Sequence, residues 1–193
     1  MFKFARMAML LAVPFTLSAC VSLSTIGTIQ TMSKLDVVND PIEEMVFAVE
    51  AERSLKPVTE KTFFVFALTP EGGKTQKTYV GLRKASAGEI PGANRSVPAG
   101  QNLHVFVFPE AEKPKLRAIQ AEIRRFKSEK VKGSLSIGVE PEFCRTTPQI
   151  APNSTFSIYV ARTQTENLMP LLADMKVKEL EAKSGPNFLA PCP

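Results

Sequence analysis

The sequence predicts an α+β domain, mainly antiparallel β, with six to seven short strands in a sandwich-like arrangement and one amphipathic helix at about 113–130. Three observations predict it. Residues 62–69 and 102–108 are apolar on both faces, so each run needs cover above and below. Residues 134–140 and 155–162 alternate apolar and polar positions, as half-buried strands do. One clear stretch repeats apolar residues at three- and four-residue steps. A single helix cannot cover both faces, so the remaining cover is a second layer of sheet, with the helix across one face or end.

Taken in order, Asn39-Asp40-Pro41 gives a turn and a short helical start over 42–45. Side chains then alternate, with Met45, Phe47 and Val49 on one face. The run TFFVFALT (62–69) is the strongest strand and belongs in the centre of a sheet. Glu71-Gly72-Gly73-Lys74 is the turn of a hairpin whose return, 76–84, points Thr78, Val80 and Leu82 inward. Residues 85–101 form a long loop with two prolines and Asn94-Arg95. The strand 102–108 ends at Pro109. Pro114 suits the first turn of the helix, with Glu110 and Glu112 near its positive end. Leu116, Ile119, Ile123 and Phe126 make the apolar stripe, and Gly133 is the stop. The connection from 108 to 134 is long enough to make the flanking strands parallel neighbours. Strands 134–140 and 155–162 follow, then a strand or strand-helix piece over 168–180.

Few constellations invite chemistry. His104 is the single histidine and lies in an apolar strand, so a His/Cys metal site is almost excluded by count. No GxSxG elbow accompanies it, and it reads as a structural or sheet-edge residue. Glu140 and Glu142 flank Pro141 and read as solvated rim acids. Gly72-Gly73-Lys74 lacks phosphate-loop spacing. No cofactor is expected. Residues 110–132 carry eight Lys/Arg against four Glu, which concentrates positive charge on the helix. Lys115, Arg117, Arg124, Arg125 and Lys127 are the candidates for contact with an anionic surface, against the plainer reading of a solvated face. The whole-chain charge of +5 is too modest to argue for nucleic acid.

The amino terminus holds the most specific signal. Lys3 and Arg6 precede an apolar stretch from Met7 to Leu17, too short for a stable bilayer span and suited to a secretory leader. It closes on Leu17-Ser18-Ala19-Cys20, small residues followed by a thiol. This run resembles the lipobox of bacterial lipoproteins. The resemblance implies a signal peptide over 1–19, acylation of Cys20 as the mature terminus, and a membrane partner reached through its acyl chains. With Val21-Ser22 and no Asp after the cysteine, it implies the outer membrane facing the periplasm, the inner membrane or cell surface being the alternatives. The Ser/Thr-rich residues 20–34 read as a tether, although a first strand can begin within them, and 35–193 as a single periplasmic β-rich domain. In an exported chain the remaining pair, Cys144 and Cys192, is most simply a disulfide; two reduced thiols are the alternative. The expected role is a non-enzymatic binding or assembly module for an envelope protein or anionic lipid. A lipid or small-hydrophobe carrier, with a cavity between sheet and helix and the 85–101 loop as its mouth, is the alternative. An envelope hydrolase ranks third.

Overall fold

A computed structural model describes residues 35–86, 88–184 and 189–193. The expected leader, Cys20 and the expected tether up to residue 34 lie outside the described residues. Asp36 organises the entry to the domain: its carboxylate accepts from the backbone N–H of Val38 and of Asn39 and from the Asn39 side chain at 2.6 Å. A single 3₁₀ turn, Ile42–Glu44, leads into strand β1, Val46–Glu52. A tight turn sends the chain into β2, Leu55–Pro70, which is long and bends where its pairing shifts register between Pro57 and Thr62.

The hairpin expected after β2 forms with β3, Gln76–Gly81. The sequence pattern predicts one return strand over 76–84, but the structure splits it. At Leu82 the chain leaves one sheet, and β4, Arg83–Lys84, joins the other by pairing with β5, Gln101–Val107. Leu82 is buried at the crossing, and its N–H still donates to Thr62. The helix α1, Lys113–Ser128, follows, then β6 (Gly133–Arg145), β7 (Thr155–Ala161), β8 (Met169–Lys176) and a short helix α2 (Val177–Ser184). Among the described residues there are therefore eight strands; the split at Leu82 supplies the one beyond seven.

The strands make two antiparallel sheets, a five-stranded one in the order β4-β5-β1-β7-β8 and a three-stranded one in the order β3-β2-β6. The fold is α+β and sandwich-like. The two doubly apolar runs are β2, central in the small sheet, and β5, beside β1 in the large one. The link through α1 joins β5 to β6 in different sheets, so these are not the parallel neighbours that its length allowed.

The main core lies between the sheets. Phe47 and Phe64 meet across the gap with ring centroids 4.9 Å apart, and Phe108 packs edge-on against both. The helix closes one end: Leu116 and Ile123 join this core, and Ile119 packs against it half-buried. A smaller second core lies on the outer face of the five-stranded sheet. There Val46, Val107 and Ala161 are covered by Ile90 and Ala93 of the 85–101 loop. That loop is a packed strap, and its apolar residues explain why β1 can be buried on both faces.

The stop of α1 is one turn earlier than Gly133 suggests. Lys130 takes the left-handed conformation at φ 53°, and Val131 N–H returns to the Phe126 carbonyl. Gly133 has another reason to be glycine: a Cβ there would stand 2.5 Å from the Thr69 carbonyl oxygen. Cys144 and Cys192 lie at bonding distance, S–S 2.07 Å. The tail beside them is also tied by backbone bonds from Arg145 N–H to Ala190 and from Cys192 N–H to Arg145, and by Arg145 Nε to Leu189.

Candidate functional site

Three places carry chemistry-bearing side chains. The first is buried beneath the strap. Glu50 interrupts the apolar run of β1 and points to the outer face, where it is 5 % exposed. Arg95 reaches down from the strap to within 3.1 Å of its Oε2, and the Tyr159 hydroxyl donates to Oε1 at 3.4 Å. The guanidinium lies over the Tyr159 ring, 4.0 Å from its centroid. The same strap is pinned at its start by Arg83, whose guanidinium pairs with Glu89. That hydrogen bond, with a second from the Ser86 N–H, holds the Glu89 carboxyl down to about 2. At Gly92 the strap touches the loop after β7 so closely that a Cβ would sit 2.0 Å from the Glu166 carbonyl oxygen. An open groove of about 780 Å³ borders this strap, between Ile90, Pro91 and Ala93 on one side and Leu103 and Val105 on the other.

This cluster was not singled out in the sequence. Its signal is an acid, Glu50, between apolar residues of β1, matched by a lone arginine in the long loop. Neither residue announces the other, because they are joined only by the fold.

The second place is a groove of about 950 Å³ between the sheets, at the end closed by α2. Phe156, Ile158, Leu172, Met175 and Leu180 line it on the side of β7, β8 and α2. Phe63 and Tyr79, which alternate with the core residues Phe64 and Val80, extend the lining onto the outer face of the small sheet. Its size falls in the range of small-molecule sites. The rim carries two ion pairs, Lys61–Glu142 at 2.6 Å and Lys77–Glu140 at 3.5 Å. Glu140 and Glu142 are thus solvated rim acids, each compensated by a lysine. This groove lies away from the 85–101 loop, which borders the separate groove on the outer face.

The third place is the basic helix. Its cations are not equally free. Lys115 donates to the Tyr79 carbonyl at 2.6 Å, Arg117 pairs with Glu43 at 2.8 Å, and Arg124 Nε donates to the Val38 carbonyl at 2.9 Å. Arg125 faces Glu129 at 4.0 Å, and Lys127 is exposed. Lys115, Arg117 and Arg124 therefore dock the helix to the domain, and Arg125 and Lys127 face solvent.

His104 lies on the inner face of β5, opposite Val49, and its Nε2 is buried without a hydrogen-bond partner. Burial, with the charges of Lys84 and Lys56 adding, pulls its pKa from 6.5 to about 4. Its charged neighbours are cations, so the ring is held neutral. Among the described residues, no three His, Cys, Asp or Glu side chains gather as a metal site requires.

No known protein family matches the chain, and neither the curated proteins nor the solved structures contain a significant match.

Proposed function

We propose that this chain is a membrane-anchored envelope lipoprotein, acting as a non-enzymatic binding or assembly module for a periplasmic or outer-membrane partner. The observation that carries the reading is Leu17-Ser18-Ala19-Cys20 at the end of a charged-then-apolar leader. The domain beginning at residue 35 leaves a tether long enough to reach roughly 50 Å from the bilayer when extended. A cysteine pair at bonding distance that ties down the carboxyl tail suits an oxidising compartment. Radiolabelled palmitate should mark the wild-type chain and not Cys20→Ala, and globomycin should block maturation. Unlabelled wild-type protein would end the proposal. Under the same reading the mature chain fractionates with outer membrane, and Val21→Asp moves it to the inner one. Crosslinking in intact cells should then capture one specific envelope partner rather than bulk abundant proteins.

A second reading, a lipid or small-hydrophobe carrier, is favoured by one observation, the 950 Å³ apolar groove between the sheets. Solvent extraction of protein purified from membranes should release a stoichiometric apolar molecule, and Leu172→Gln should empty the groove. Protein that carries nothing, and binds no fatty acid when offered it, removes that reading.

A further inference from the structure

The run Arg124-Arg125-Phe126-Lys127-Ser128-Glu129-Lys130-Val131-Lys132 sets five cations against one acid. Its charges are poorly compensated. The ion-pair partners of Arg125 and Lys132 are distant and exposed, Glu129 at 4.0 Å and Glu71 at 3.7 Å, and such pairs contribute little. Arg125 also lies over the Phe126 ring, 5.3 Å from its centroid, which leaves its charge uncompensated. Lys127 and Lys130 are exposed and lack an ion-pair partner among the described residues. Set among these cations is Val131, 43 % exposed, at the edge of an apolar depression of about 140 Å³ floored by Leu68, Phe126 and Leu135. Lys127 and Lys132 flank the same depression. An aliphatic side chain left in water between ammonium groups matches an interfacial contact, where the apolar part enters the headgroup layer and the cations meet phosphate.

The path of the chain puts this patch beside the first described residues of the domain. Arg124 holds the Val38 carbonyl, and Gln120 holds those of Val37 and Asp40. The first described residues therefore run along α1. Asp36 lies near Lys127: its carboxyl is held below the usual range by the Asn39 hydrogen bond first, with the Lys127 charge adding to it.

We propose that the carboxyl end of α1 and the turn over 129–132 form a second membrane contact, docking the domain on the anionic phosphate headgroups of a bilayer with Val131 entering the interface. The proposal rests on the lipoprotein reading only for delivery to the bilayer. The contact differs from the acyl anchor in being electrostatic, so it is reversible and salt-sensitive.

The test is lysine footprinting of the mature chain purified from membranes. The protein is mixed with vesicles of phosphatidylcholine alone or with about 30 mol % phosphatidylglycerol, then treated with a water-soluble acylating ester. On anionic vesicles Lys127, Lys130 and Lys132 should react several-fold more slowly than on neutral ones, while Lys61 and Lys77 react equally on both. The protection should vanish near about 0.5 M NaCl. Val131→Asp combined with Lys132→Gln should reduce the protection of Lys127 and Lys130 at least about fivefold. Equal reactivity on both vesicle types overturns the contact even if the protein floats with them. Flotation with anionic vesicles alone refutes the acyl anchor and supports the contact. Stronger protection by polyglutamate in solution than by anionic vesicles overturns the proposal in favour of an acidic protein partner.

Discussion

Glu50 is 5 % exposed on a face it shares with Val46 and Ala48, where a lone carboxylate would lose several kcal/mol of hydration. The Arg95 charge and the Tyr159 hydroxyl offset part of that loss, Glu50 Oε2 and Arg95 Nε being buried without a hydrogen-bond partner among the described residues, and the ion pair fastens the strap to the sheet. Arg95→Ala leaves the carboxylate buried without its cation and should cost about 2–4 kcal/mol in denaturant titration. In Glu50→Gln the same arginine substitution should cost far less; equal costs in the two backgrounds would mean that the pair is not coupled. His104 is a half-buried titratable group on the inner face of β5. Its folded pKa of about 4 lies below the unfolded 6.5, so the neutral ring favours the fold. The contribution is intact above 6.5 and is lost as pH falls from there through 4. The ring is only half-buried, and screening reduces the effect to about 1–2 kcal/mol. Comparing wild type with His104→Gln at pH 7 and pH 4 should show the variant gaining by that amount at the lower pH.

At the level of elements, most of the regular structure is legible because apolar periodicity is a local property. The stripe Leu116, Ile119, Ile123 fixes α1, and the doubly apolar faces of β2 and β5 require two layers. Three features escape such reading, each for a physical reason. The split at Leu82 depends on which sheet accepts the chain, a matter of distant partners. Lys130 ends α1 in a conformation that glycine adopts more readily, so the nearest glycine drew attention that belonged elsewhere. Residues 85–101 read as a loop by composition, yet Ile90 and Ala93 are core residues of the second cluster. The strap depends on Gly92, which leaves no room for a side chain against Glu166. Gly92→Ala should destabilise the domain by about 1–3 kcal/mol through overpacking. It should also raise amide exchange in the strap more than in β2, and uniform exchange would show that the strap is not a local unit.

At the scale of the whole molecule, sheet order and the Glu50–Arg95–Tyr159 cluster were illegible because both are fixed by contacts between residues far apart in the chain. The cysteine pair was legible, since only two thiols remain once Cys20 is set aside. Its position matters for the entire domain. Cys144 ends the long edge strand β6, whose neighbour Phe143 packs on Phe156 with ring centroids 4.9 Å apart, so the bridge joins the tail to the main core. The 48-residue separation encloses β7, β8 and α2, the parts that complete the large sheet and line its groove. Closing a loop of that length restricts the unfolded chain by about 4 kcal/mol. Cys144→Ser with Cys192→Ser should therefore lower global stability by about that amount. The backbone bonds from Arg145 N–H to Ala190 and from the residue-192 N–H to the Arg145 carbonyl remain available to the folded variant, so its structure should persist. Thermal unfolding should stay a single transition at lower temperature, because β7 pairs with β1 along six consecutive positions and cannot detach alone. A second, earlier transition confined to β8 and α2 would show instead that the bridge guards only the carboxyl-terminal region.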